Sequence, residues 1–123
     1  MSSEHSHVSE ARARVLLSRV EYADRLAAGR LQPPVGLIDG FVRSIAELHM
    51  LLEPEPRGLP ALDFDEVVTW VREVVRDEIL ADELSALFAA SDSYVESCRG
   101  AYGLLGERLE QARQRVGDVR GFA

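Results

Sequence analysis

The last third of the chain constrains the fold more than any other segment. Leu84, Phe88, Val95, Cys98, Tyr102, Leu105, Leu109 and Val116 recur in alternating steps of four and three, with Ser91 and Ala112 as the small members. A stripe of this period is the seam of a helix packed lengthwise against other helices. Gly100, Gly103 and Gly106 are interleaved with it. Three interior glycines cost a continuous helix about 2–3 kcal/mol relative to alanine, so close packing or a break is expected there. Ala86, Ala90, Ser93, Ser97 and Gly100 form a ribbon of small residues on the opposite side, where two backbones could approach closely.

The remaining segments also read as helices. Ser9 caps a first helix running to about Ala28, with Val15, Leu16, Val20, Leu26 and Ala27 on its apolar face. Pro33-Pro34 interrupts it, and Pro34 opens a second helix that carries Ile38, Phe41, Val42, Ile45, Leu48 and Leu52 to about Glu53. Residues 54–60 (PEPRGLP) form a rigid connector. Asp63 with Glu66 three residues on is the best helix start in the chain, and Phe64, Val67, Trp70, Val71, Val74 and Val75 follow as a broad buried face. Val71 and Leu84 are out of helical phase, so the chain breaks between Arg76 and Glu83, with Asp77 or Asp82 as a new cap. Ser93-Tyr94-Val95-Glu96 is a second capping pattern, but the seam passes through it in phase, which predicts continuity there. Gly117 ends the last helix.

The expected fold is therefore all-α, a four-helix up-down bundle with a long C-terminal helix. Residues 1–8 read as a disordered tail, 9–118 as a single helical domain and 119–123 as a second tail. A length of 123 residues suits one domain.

Composition narrows the function classes. The net charge is −7, and all 14 basic residues are arginine, with no lysine or asparagine, a bias expected of a GC-rich bacterial genome. Phosphate binding needs clustered cations, so nucleic acid is not an expected partner. No apolar run reaches the roughly 20 residues of a membrane span. The N-terminus lacks the cationic flank and apolar core of a signal peptide. A single cysteine on the apolar seam suits the reducing cytoplasm. Charge is uneven along the chain: residues 63–83 carry eight carboxylates against Arg72 and Arg76, whereas residues 99–120 are net positive.

Candidate chemistry is sparse. Asp77, Glu78, Asp82 and Glu83 cluster at the expected break without the alternating ligands of a cation loop. Cys98 reads as a small core residue. Arg43 and His49 are spaced Arg-x5-His. This spacing resembles the Arg-x(4–6)-His pattern of HEPN ribonucleases, small helical bundles that act as dimers. The resemblance would imply that Arg43 and His49 face their dimer copies and act on RNA. No catalytic residue, metal ligand or cofactor motif is otherwise identified. The expectation is a non-enzymatic interaction or accessory protein of the bacterial cytoplasm, a homodimer or the subunit of another protein. Its candidate interaction residues are Ala90, Ser93, Ser97, Gly100, Gly103, Gly106 and Trp70. The alternatives are a small-molecule-binding bundle, with its ligand near Tyr102 and Gly103, and the Arg43/His49 ribonuclease.

Overall fold

The computed structural model describes residues 9–56 and 58–120, and it corrects the expected all-α helical bundle to a mixed fold. Among those residues, five α-helices are joined by two small antiparallel sheets. Helix α1 (Glu10–Leu16) starts where expected, with Ser9 Oγ accepting from the Arg12 amide at 3.1 Å. It stops a dozen residues early, because the chain after it is zipped to a distant segment. The Val20 amide donates to Arg43 O at 2.7 Å, and the Arg43 guanidinium donates back to Val20 O at 2.8 and 3.0 Å.

From Leu26 to Val42 the chain is a β-hairpin and not two helices. Strands β1 (Leu26–Ala27) and β2 (Gly29–Gln32) ascend, and β3 (Gly36–Ile38) and β4 (Phe41–Val42) return. The turn between them contains a cis Pro33–Pro34 bond, and Gly36 has a φ of 96°. At the kink between the two halves, a Cβ on Gly29 would lie 2.5 Å from Ile38 O, and one on Gly40 would lie 2.8 Å from Ala28 O. Only glycine permits that approach of backbone to backbone.

Helix α2 (Ile45–Leu51), capped by Ser44, occupies only the end of the second expected helix. The end of the Pro-rich connector runs into strand β5 (Leu59–Ala61), which pairs with the free edge of β2 to give the order β3-β2-β5. A proline is accommodated there because β5 is an edge strand. Asp63 caps α3 (Phe64–Trp70) as expected, with Oδ1 accepting from the amides of Asp65 and Glu66. A π turn (Val71–Val75) extends α3 to Arg76, whose left-handed φ of 64° reverses the chain. Asp77 then caps α4 (Glu78–Ala90), so the first expected break and its cap are observed.

The expected continuity at Ser93 fails. Ser91 is extended, Ser93 Oγ accepts from the Glu96 amide at 3.1 Å, and α5 (Tyr94–Arg120) begins as a separate helix. Helix α5 then runs unbroken through all three glycines and through Gly117. The expected tail over 1–8 and the last three residues of the C-terminal one lie outside the described residues.

Helix α5 is the spine, packed against α1, α2 and α4. Of the expected seam, Leu84, Cys98, Leu105, Leu109 and Ala112 are buried, Phe88, Tyr102 and Val116 are half-buried, and Val95 is exposed. Across this core runs one ion pair, Asp77 with Arg108, at 1% and 3% side-chain exposure. The guanidinium grips the carboxylate through Nε–Oδ2 at 3.1 Å and Nη2–Oδ1 at 3.2 Å.

Candidate docking surface

In an antiparallel sheet alternate residues face opposite sides, so register decides which side chains share a face. Leu31 on β2 lies opposite Leu37 on β3 and opposite Leu59 on β5. Three leucines thus form a row across all three strands. They are 44%, 61% and 39% exposed, and Val35 in the turn is 75% exposed. On this face a hollow of about 420 Å³ opens beside the row, lined by Leu31, Pro33, Pro56, Gly58 and Leu59 with Glu55 at its rim. The water-facing side of an antiparallel sheet usually carries polar residues, and this one carries leucine.

The opposite face is anchored by Arg30, which lies opposite Ile38 and Pro60. Its guanidinium donates to Leu51 O at 3.0 Å and to Glu55 Oε2 at 2.9 Å, tying the sheet to the end of α2. Two further hooks hold the hairpin and β5 to the helices. Trp70 Nε1 donates to Asp24 O at 2.7 Å, and the Tyr94 hydroxyl donates to Pro60 O while accepting from the Leu62 amide. Burial pushes the Tyr94 hydroxyl above its ordinary pKa, which keeps it a donor. At the hairpin base Tyr22 meets Phe41 edge to face at 5.4 Å, and the Arg25 guanidinium lies 4.1 Å above the Tyr22 ring. Both aromatic rings are about half exposed.

The residues singled out by sequence are distributed differently. Ala90 ends α4 and Ser93 caps α5, both exposed on either side of the break, while Ser97 is buried. A Cβ on Gly100 would lie 2.8 Å from Leu87, so this glycine does seat α5 closely on α4. Gly106 abuts His49 in the same way, at 3.0 Å from Nε2. Gly103 faces open space, with nothing within 4 Å of a Cβ. Trp70 is buried and serves as the anchor of the hairpin base. The small residues therefore do not line one surface. Sequence reasoning missed the leucine row, although Gly29, Pro33-Pro34, Gly36 and Gly40 punctuate the stretch at hairpin intervals.

Arg43 and His49 serve separate contacts. Besides its bonds to Val20, Arg43 donates its amide to Glu47 Oε1 at 2.6 Å. That bond, reinforced by the Arg19–Glu47 ion pair at 2.8 Å, draws the Glu47 carboxyl below its ordinary pKa. His49 stacks flat on Tyr102 at 4.4 Å. Its pKa is lowered by burial and by the charge of Arg113, against an opposing pull from Glu53.

Cys98 borders a cleft of about 260 Å³ between the 52–60 segment and α5. Burial raises its thiol pKa, the reverse of what a reactive thiolate needs. In the acidic segment Asp77 belongs to the buried ion pair and Asp82 pairs with Arg72 at 2.9 Å. Among the described residues no group of three or more His, Cys, Asp or Glu is placed to hold a metal, and no helix is long and apolar enough to cross a membrane.

Comparison of the chain with known proteins finds no matching family model, no matching curated protein and no matching solved structure.

Proposed function

We propose that this chain is a non-enzymatic association protein of the bacterial cytoplasm, and that its docking face is the outer face of the β3-β2-β5 sheet. One observation carries the reading: Leu37, Leu31 and Leu59 line up in register across the sheet and all face solvent. A contiguous apolar patch rimmed by polar residues is the usual mark of a protein-binding surface. At the hairpin base the exposed Tyr22 and Arg25 are residue types enriched at interface hot spots. The high thiol pKa and burial of Cys98 support a structural role for that residue.

The test is proximity labelling in the native cell with the wild-type chain and with Leu37→Asp as baits. The proteins enriched by wild type, further copies of the chain included, should be lost with Leu37→Asp. Identical labelling by both baits would remove this face from the function.

A further inference from the structure

Resting on that reading, we infer that the occupant of the sheet face is a second copy of this chain, packed face to face about a two-fold axis through Leu31. The row is symmetric about its centre: Leu37 stands one strand to one side of Leu31, and Leu59 one strand to the other. Neighbouring strands are about 4.8 Å apart. A two-fold axis along β2 therefore sets Leu31 against its own copy and each Leu37 against the Leu59 of the other protomer. This is the relation a closed symmetric dimer requires, residue i meeting j and j meeting i.

Shape follows the same symmetry. Leu37 and Val35 protrude on one side of the axis, whereas the hollow beside Leu59, with Pro33 and Pro56 on its walls, opens on the other. Each protomer thus offers a bump where its copy offers a hollow. The area is also of the right size. Leu31, Val35, Leu37 and Leu59, at 44%, 75%, 61% and 39% exposure, and the exposed Pro33 and Pro56 together present on the order of 500 Å². With a polar rim in the usual proportion, this reaches the roughly 800 Å² per partner of a stable interface. Charge does not oppose the contact. Residues 29–41 carry only Arg30 and Asp39, a neutral stretch in a chain of net charge −7.

Sedimentation velocity of the purified chain from micromolar to millimolar concentration reads the outcome directly. The mass should double from 13.6 kDa as concentration rises. Leu37→Asp and Val35→Asp should each raise the dissociation constant at least about tenfold, since either places a charge within the apolar contact. Both positions are solvent-facing, so far-UV ellipticity should be unchanged. Met50→Asp, exposed on α2, which is attached on the Arg30 side of the sheet, should leave the dimer intact. The pairing itself is read by mixing Leu37→Asp with Leu59→Arg. Each alone should associate at least about tenfold more weakly than wild type, and the mixture should associate more tightly than either alone, because one contact then joins Asp to Arg and the other remains leucine on leucine. A wild type that stays monomeric at millimolar concentration overturns the inference. So does a dimer insensitive to Leu37→Asp, or a mixture that associates no more tightly than either variant alone. If the chain is monomeric while the wild-type bait still captures another protein that the Leu37→Asp bait does not, only the identity of the occupant fails.

Discussion

Removing the charge from Asp77 while keeping its shape is the sharpest test of how this fold is held. Asp77 does two things at once. Its Oδ1 accepts from the Leu80 amide at 3.0 Å, capping α4, and its carboxylate binds Arg108 of α5 in a nearly solvent-free site. Asparagine caps a helix about as well as aspartate, so Asp77→Asn preserves the first role and deletes the second. The buried Arg108 cation is then left with neutral acceptors, the amide oxygen at the Oδ1 position and Gln111 Oε1 at 3.4 Å, and its Nε–H meets an NH2 donor where Oδ2 stood. Stranding one member of a buried ion pair costs about 3–5 kcal/mol. For a domain whose total stability is about 5–15 kcal/mol, that is a large share. At about 4 °C per kcal/mol for a chain of this size, the melting temperature should fall by about 12–20 °C. Asp77→Ala should cost roughly 1 kcal/mol more, through the lost cap.

Urea unfolding followed by Trp70 fluorescence and far-UV ellipticity measures these losses. The decisive variant is the double one, Asp77→Asn with Arg108→Met, in which no charge remains to be stranded. Replacing a whole buried pair is often close to neutral, so this variant should lie within about 2 kcal/mol of wild type and be more stable than Asp77→Asn alone. The resulting coupling energy should be at least about 2 kcal/mol. A cost below about 1 kcal/mol for Asp77→Asn, or strictly additive single costs, would refute the view that the pair locks α4 onto α5.

Two further outcomes follow from local geometry. Gly103 faces open space within a helix, so Gly103→Ala should stabilise the protein by about 0.5–1 kcal/mol in the same assay. Gly100→Ala should forfeit that gain, because its methyl meets Leu87 at 2.8 Å and α4 must shift. His49 makes stability pH-dependent. Its folded pKa lies below the ordinary value of about 6.5, so near that pH the unfolded chain binds a proton that the folded chain refuses. Stability should therefore decline as pH falls through about 6.5 towards the lower folded pKa, and level off beneath it. His49→Gln should flatten this part of the melting temperature profile, and an unchanged slope would remove His49 as its source.

What could be read from sequence depended on how local the responsible interaction is. Asp63 and Asp77 cap helices through amides two or three residues away, and both were legible as helix starts. The α5 seam was legible because one periodicity runs through most of a long helix. At Ser93 the same seam misled, for an in-phase apolar stripe does not reveal that Ser91 is extended. The hairpin was missed because Ile38, Phe41, Val42 and Ile45 fall at helical spacing by coincidence. Only Val42 and Ile45 are buried, while Ile38 and Phe41 are nearly half exposed. The breakers among them carried the better signal. Arg108 and Asp77 are 31 residues apart, and their pairing has no local signature. The leucine row likewise exists only in the register of three strands drawn from two separate segments.

The way the sheet is attached argues that its outer leucines serve something other than folding. Polar hooks from Arg30, Trp70 and Tyr94 hold the hairpin and β5 to the helices, and all three act on backbone carbonyls. Leu31, Leu37, Leu59 and Val35 make none of these attachments and lie outside the buried core. Exposed apolar side chains on a short sheet bring a standing risk of aggregation, with no folding gain to offset it. Polar substitution there should then leave stability within about 0.5 kcal/mol of wild type, as for ordinary surface positions. Association should respond strongly to the same changes. If Leu37→Asp instead lowered the stability of the monomer by several times that amount, the leucines would belong to the fold, and the sheet face would lose its claim as a docking surface.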